Sequence, residues 1–463
     1  MAFCSKQSIQ LYFILIGTTI VLFPSRMLGL QWLLFGMVTV FFFFNNAKKM
    51  PNQWAGLTDR QFHQRLFQWA LGFRLVFVLF SYFYFQAMTG RPFEYDAGDA
   101  PGYHGEALWI VQLIKSNALN QYFFYMKGRS SDAGFSVYLS VFNFIFGETI
   151  LIPRIVNALL GAQTAVISYQ LAASNFGKKV GRLAGILVML MPSLIYYTGL
   201  HLKETLMVFI LMAFLNQADK LIRERNTKFK HVFLIALLGS SLFFFRTVLG
   251  AAAFFTLGLS LALSHKKIIS SGRRFTFLFL GGVFGLFLVF NLFSKEINYY
   301  YDQKDTNLDQ QMVNFSTRVD GNKLAKYGSS AIFLPIILVG PLPTLVDTNQ
   351  LNAQMIHGTI FVKNIMAFFV LLALVLLWKR KGFRFHLLLI AFIATYLSIL
   401  VSSAFALSER YHLVVVPCFL ILAAYGISEM RAAHKKYFTF YMVFLFLLLL
   451  GWNWFKLAGR DLV

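Results

Sequence analysis

The chain is poor in cysteine and poor in acid. Only Cys4 and Cys418 occur in 463 residues, one near the terminus and one inside an apolar run, which leaves no disulfide framework and no cysteine-based metal site. Charged residues make up 13% of the sequence, with 42 Lys and Arg against 19 Asp and Glu and a net charge of +23. No strand alternation or short hairpin punctuation is present, which excludes a β-barrel. No Gly-rich phosphate loop follows a strand and no His-Glu-x-x-His occurs. A soluble nucleotide-sugar domain is missing as well.

What fills the sequence is apolar: 58% hydrophobic residues and a mean hydropathy of +0.62. So much apolar surface cannot be packed inside one soluble globule, and the composition predicts an all-α polytopic membrane protein. A helix needs ~20 apolar residues to cross hydrocarbon, because every backbone N–H and C=O must be satisfied within the segment. Runs at about 9–25, 29–46, 67–88, 150–174, 183–199, 203–220, 231–246, 247–264, 275–293, 358–378, 385–404, 410–428 and 436–456 predict about 13 transmembrane helices. The first two form a hairpin broken near Pro24, with no small-residue cleavage site after the first. Residues 51–64 read as a segment lying along the membrane surface.

Basic clusters at Lys178/Lys179/Arg182, Arg223/Arg225/Lys228/Lys230, Lys266/Lys267/Arg273/Arg274, Lys379/Arg380/Lys381/Arg384 and Arg431/Lys435/Lys436 fall on one side. The positive-inside rule makes that side cytoplasmic, in a multi-pass protein of the plasma (inner) membrane with a cytoplasmic N-terminus. Cations confined to short loops are topology signals rather than a nucleic-acid face, so no nucleic acid is expected. Parity requires that 135–146 and 331–346 do not cross. The chain then divides into an N-terminal hairpin and surface segment (1–66), a membrane module (67–293) with a helical outer loop (89–149), a second outer loop (294–357) and C-terminal helices (358–463). No internal halves repeat, and the charges gather at the outer ends of spans.

Against this basic background the stretch from Glu94 to Glu106 carries Glu94, Asp96, Asp99 and Glu106 within thirteen residues. Glu94 and Glu106 read as solvated or helix-starting acids, and the Pro101-Gly102 pair as a turn after Asp99. Asp96 and Asp99 have the oxygen chemistry of a divalent-cation site, on the thin ground of two carboxylates. His201 and Glu204 share a helical face by their i, i+3 spacing, at the outer mouth of a span.

Gly98-Asp99-Ala-Pro-Gly-Tyr103-His104-Gly-Glu-Ala107 resembles the Asp-x-x-x-Tyr-His signature of GT-C glycosyltransferases that use polyprenyl-phosphate sugars, the group related to protein O-mannosyltransferases and the aminoarabinose transferase of lipid A. Segments from Gly134 to Gly161, Phe176 to Arg182, Pro192 to Thr205 and Glu409 to Pro417 are similar to further parts of that family. The likeness covers roughly residues 67–430, is strongest over 95–215 and does not reach the 294–357 loop.

The resemblance implies a GT-C-like fold and an active site on the outer, periplasmic side. There a sugar would move with inversion from a polyprenyl-phosphate-linked donor held among membrane lipids to a glycan, lipid or protein acceptor. Asp99 is the expected general base, with Asp96 in reserve. Tyr103 and His104 would contact the sugar or orient Asp99, unless they are simple interfacial residues. His201, Lys203 and Glu204 would bind donor, with Lys203 on phosphate and Glu204 on a sugar hydroxyl, or would form a helix-end cluster. Arg246, Arg410 and Arg154 would hold the leaving phosphate, for which a planar guanidinium is suited. Their alternatives are structural pairs, such as Arg410 with Glu409, or snorkelling for Arg154. A polysaccharide polymerase or ligase centred on the 294–330 loop, and a lipid-linked sugar transporter or flippase, are the rival readings.

Overall fold

A computed structural model describes residues 2–126, 130–224, 229–266, 268–288, 336–401 and 408–458. Among the described residues the regular elements are helical, apart from an isolated bridge between Met27 and Val346. In chain order the helices are α1 (Ala2–Leu22), α2 (Leu30–Gln53), α3 (Asp59–Thr89), α4 (Asp99–Lys115), α5 (Leu119–Tyr125), α6 (Ser130–Phe146), α7 (Leu151–Phe176), α8 (Lys178–Leu190) and α9 (Pro192–Thr198). After these come α10 (Glu204–Arg223), α11 (Phe229–Phe243), α12 (Thr247–Leu263), α13 (Ser271–Leu288), α14 (Leu351–Lys379), α15 (Leu387–Val401), α16 (Glu409–His412), α17 (Val416–Ser428) and α18 (Lys435–Ala458).

The architecture is that of a polytopic membrane protein, as its composition requires. Among the described residues seven helical stretches are long and apolar enough to cross a membrane, or eight if the α8–α9 pair, bent by 48°, is one span. The expected runs at 231–246, 247–264 and 385–404 fall on α11, α12 and α15, apolar helices of 15, 17 and 15 residues. At 1.5 Å per residue these reach at most about 25 Å, short of the ~30 Å hydrocarbon core, so length and composition alone do not qualify them as spans. The 135–146 run lies in α6, which packs on α4, and residues 336–346 form a turn and an extended strip. The rest of the second expected outer loop, 294–335, lies outside the described residues.

The expected surface segment over 51–64 is replaced by two helices and a tight connection. Pro51 stays inside the last turn of α2, and α3 begins at Asp59, eight residues before the apolar run it carries. A capping box explains the early start: Thr58 Oγ1 accepts from the Gln61 amide at 3.3 Å, and Gln61 Oε1 accepts from the Thr58 amide at 3.0 Å. At the other end of α3, Gly90 adopts φ +75°, which ends the helix with a left-handed residue.

Two cations are buried far from helix ends, against the expectation that charges gather at the outer ends of spans. Arg74, in the middle of α3, is wholly buried. Pro192 opens α9 without an N–H, so the α8 carbonyl four residues back loses its intrahelical donor. Arg74 supplies it: Nη2 donates to Val188 O and Nη1 to Met189 O, both at 3.4 Å, while Nη1 also reaches Ala70 O at 3.0 Å. Lys363, in the middle of α14, donates to Gly340 O and to His412 Nδ1, the latter at 2.8 Å. Both cations are thus taken up by backbone carbonyls and a neutral acceptor.

Connections at the two ends of the bundle sort by charge. At one end Lys178 and Arg182 bind Asp59 (2.6 and 3.1 Å), Arg223 binds Asp219 (2.8 Å) and Arg380 binds Glu429 (2.6 Å). At the opposite ends of α3, α10 and α14 lie Thr89, Glu204 and the 336–350 strip, whose Asp347 amide donates to Arg26 O at 2.8 Å.

Close helix approach is set by glycine, since lipid supplies no hydrophobic drive between helices and packing must do the work. A Cβ on Gly426 of α17 would overlap the Phe369 carbonyl of α14, and one on Gly358 of α14 would come within 2.8 Å of Gly36 O in α2. Replacing Gly426 by Ala is therefore expected to force α14 and α17 apart at a cost of about 1–3 kcal/mol. Thermal unfolding in detergent reads this as a lower Tm, and an unchanged Tm would mean that the two helices are not held in this contact.

Candidate functional site

The acidic stretch is not a loop from end to end. Residues 90–98 are irregular, with Asp96 at φ +49°, and α4 begins at Asp99. Pro101 and Gly102 lie in its first turn instead of forming a turn of their own, as a proline there gives up no helical hydrogen bond. The helix decides what faces what. Tyr103, four residues after Asp99, is rotated by roughly 40° and shares its face, whereas His104 is rotated by roughly 140°.

Asp99 borders a cavity of about 320 Å³, with Glu94, Asp96, Tyr196, Tyr197, Asn352 and Arg410 among its walls. Its carboxylate is 55% exposed and accepts from Arg410 Nη1. Arg410 reaches back with Nε to Glu204, whose side chain is fully buried. Glu204 Oε1 also lies 3.7 Å from Arg246 Nη2. Arg246, preceding α12, is fixed from two further sides: Nη1 donates to Tyr396 OH at 3.2 Å, and the guanidinium lies 4.1 Å from the Tyr411 ring centre. Tyr396 in turn donates to Tyr411 O at 3.1 Å. Asp99, Arg410, Glu204 and Arg246 thus form an alternating chain of charge across α4, α16, α10 and α12. Such burial is tolerated because each carboxylate meets a guanidinium.

Beside this chain lies a second cluster. Arg154, in the first turn of α7, is wholly buried and donates to Pro92 O, while its Nε and Nη1 meet no acceptor. It does not snorkel. His201, in the turn before α10, is buried with neither ring nitrogen hydrogen-bonded. Its ring lies 5.4 Å from His104 and 5.9 Å from Phe93. Burial holds the His201 imidazole well below its usual pKa, and the charge of Arg154 and the nearby His104 push the same way. Glu94 has a buried Oε2 with no hydrogen-bond partner, and burial raises its carboxyl pKa against the pull of Arg154 and Arg410.

Several sequence expectations change in position. His104 does not orient Asp99: its Nε2 is 3.2 Å from Glu148 Oε1, as its place on the far face of α4 requires. Lys203 donates to Phe245 O at 2.8 Å and lies 5.7 Å from the Tyr103 ring centre, so it ties α10 to the α11–α12 turn. Arg410 pairs with Asp99 and Glu204, and not with Glu409, whose two carboxylate oxygens are buried without a hydrogen bond. Glu106 is no solvated acid, since it accepts from Tyr122 OH at 3.0 Å and Ser136 Oγ at 2.9 Å. Among the described residues no group of three or more His, Cys, Asp or Glu could hold a metal ion.

Glu94, Tyr196, Tyr197 and Asn352 are cavity residues that sequence reasoning passed over or set aside. The signal for Glu94 was its place two residues before Asp96. Asn352 had none, as it opens an apolar helix remote in sequence and reaches the site by donating to Tyr95 O. No protein-family model matches the chain, and no curated protein and no solved structure matches it.

The part-buried Glu94 and the buried Glu204 should respond oppositely to neutralisation. A carboxyl whose pKa is raised by folding favours the folded state at low pH, and that contribution is lost as pH rises from the unfolded value near 4.5 through the folded one. Glu94→Gln is therefore expected to hold or raise the Tm at neutral pH and to flatten its decline above pH 4.5. Glu204→Gln removes the shared anion between two guanidiniums and should lower stability by roughly 3–5 kcal/mol. Thermal unfolding across pH 4–8 separates the two, and equal destabilisation by both would contradict the assignment of Glu94 as an uncompensated acid.

Proposed function

We propose that this chain is an integral membrane glycosyltransferase of GT-C-like architecture, moving a sugar from a polyprenyl-phosphate donor to an acceptor hydroxyl at the outer face of the plasma membrane. The observation that carries the reading is the half-exposed Asp99 carboxylate, bonded to Arg410 at the edge of a cavity of about 320 Å³. Sugar transfer from a lipid phosphate needs both charges at one place. A carboxylate takes the proton of the acceptor hydroxyl as its oxygen attacks the anomeric carbon, and a cation receives the phosphate that departs as the C–O bond breaks. Phosphate leaves without a general acid. The Asp-x-x-x-Tyr-His resemblance at Asp99, Tyr103 and His104 supports the same reading.

In this mechanism Arg410 meets the donor phosphate with the part of its fork that Glu204 does not hold, and Arg246 behind Glu204 keeps the pair in register. Tyr103, on the face of Asp99, borders the acceptor side. Glu94 lines the cavity wall, where its unsatisfied carboxylate oxygen suits a hydroxyl of a sugar, and the buried Arg154 and His201 lie outside that lining. Asp96, exposed beside Asp99, is the reserve base.

One observation favours a variant of this reading. Glu94 has a raised pKa and no cation hydrogen-bonded to it, which suits a base better than the ion-paired Asp99. A transporter is disfavoured because Arg74 and Lys363, the charges buried in mid-helix, are engaged by backbone carbonyls. The polymerase or ligase alternative rests on residues 294–330, outside those described.

Incubating purified protein with a panel of polyprenyl-phosphate sugars and detecting released lipid phosphate tests the reading. Asp99→Asn is expected to lower the rate about 10²–10⁴-fold with folding intact, the range for loss of a general base. Full activity in that variant, with loss in Glu94→Gln, moves the base to Glu94. Activity retained in both sinks the carboxylate mechanism.

A further inference from the structure

We propose that a second cavity, at the basic end of the bundle between α2, α8 and α17, binds the phosphate headgroup of an anionic lipid. It measures about 580 Å³, within the roughly 300–1,000 Å³ of ligand pockets. Lys48 and Lys49 from the last turns of α2 and Lys179 from the first turn of α8 line it, with the amide of Asn52 beside them. Leu183 and Ile427 make its apolar part.

Charge bookkeeping at this end of the molecule separates these lysines from their neighbours. Lys178, Arg182, Arg223 and Arg380 each have a carboxylate within 3.1 Å. Among the described residues Lys48, Lys49 and Lys179 have none, and no acid lines the cavity. Topology alone calls for cations at this end, but it does not call for three unpaired amines around one concavity. Three like charges brought together repel, and a phosphate relieves that repulsion while filling the space between them. Lysines and apolar side chains around one cavity, at the end of apolar helices, match a ligand whose charged head is joined to an acyl body. A free phosphate would use the amines but leave Leu183 and Ile427 without a role, so the lipid is the favoured source. Nothing in this site depends on the sugar-transfer reading.

Native mass spectrometry of the full chain, released from micelles holding equal phosphatidylglycerol and phosphatidylcholine, provides the test, with thermal unfolding in the same lipids as the second readout. Phosphatidylglycerol should be retained in preference and should raise the Tm more than phosphatidylcholine, with both effects shrinking as salt rises. At about 1 kcal/mol per cation, the Lys48→Gln/Lys49→Gln/Lys179→Gln variant should lose roughly tenfold to hundredfold in phosphatidylglycerol affinity. Lys179→Gln alone should lose part of that and guards against misfolding of the triple variant. Equal retention of the two lipids by the parent overturns the proposal, as does an undiminished preference in the variants. If inorganic phosphate at millimolar concentration gives the same protection as the lipid, the site is one for free phosphate and the lipid assignment falls.

Discussion

The buried carboxylate of Glu204, shared by Arg410 and Arg246, is the interaction on which the geometry around Asp99 depends. A carboxylate fully removed from water costs several kcal/mol unless it is paired and hydrogen-bonded. Two guanidiniums meet that requirement, and each then projects its remaining donors: Arg410 to Asp99, Arg246 to Tyr396. Because the participants come from α4, α10, α12, α15 and α16, one anion fixes the relative placement of five helices. The position of Asp99 is therefore a consequence of Glu204, although 105 residues of sequence separate them.

That dependence explains which parts of the molecule could be read from sequence. Lipid imposes its constraint locally, residue by residue, so apolar runs and basic clusters located most helices and sorted their ends. Helix starts were less legible: the Thr58–Gln61 capping box moved the beginning of α3, and Pro101 and Gly102, taken as a turn, sit inside α4. From that shift follows the error about His104, because a residue's partners depend on the helical phase from the true start. Arg410, Arg246 and Glu204 were recognised as unusual, but their mutual pairing was not, since no local pattern encodes a contact across 206 residues. The same holds for Lys363 and His412, and for Glu94, whose burial is a product of packing.

The opposite ends of the bundle solve the same electrostatic problem in different ways. At the basic end most acids serve as partners for nearby cations, and the excess of Lys and Arg faces outward, as for Lys48, Lys49 and Lys179. At the acidic end cations are fewer and are drawn inside: Arg154 is wholly buried and bound to a carbonyl, and the Arg246 side chain, 11% exposed, lies against the Tyr411 ring. A net charge of +23 is thus not spread as a uniform field but divided into a peripheral set, part paired with nearby acids and part exposed, and an internal set held by carboxylates at Arg246 and Arg410 and by backbone carbonyls at Arg74, Arg154 and Lys363.

The internal set is also where the fold leaves polar groups unsatisfied. Arg154, His201, Glu94 and Glu409 each retain buried atoms with no hydrogen bond among the described residues, as do residues elsewhere in the bundle such as Arg74, His63 and Ser260. Each such atom costs about 1–3 kcal/mol against an apolar replacement. The Lys363–His412 pair extends the pattern behind Arg410, so that the residue holding Asp99 stands between a solvent-facing carboxylate and a buried polar network. Elsewhere the helices approach closely through glycine, as at Gly426 and Gly358.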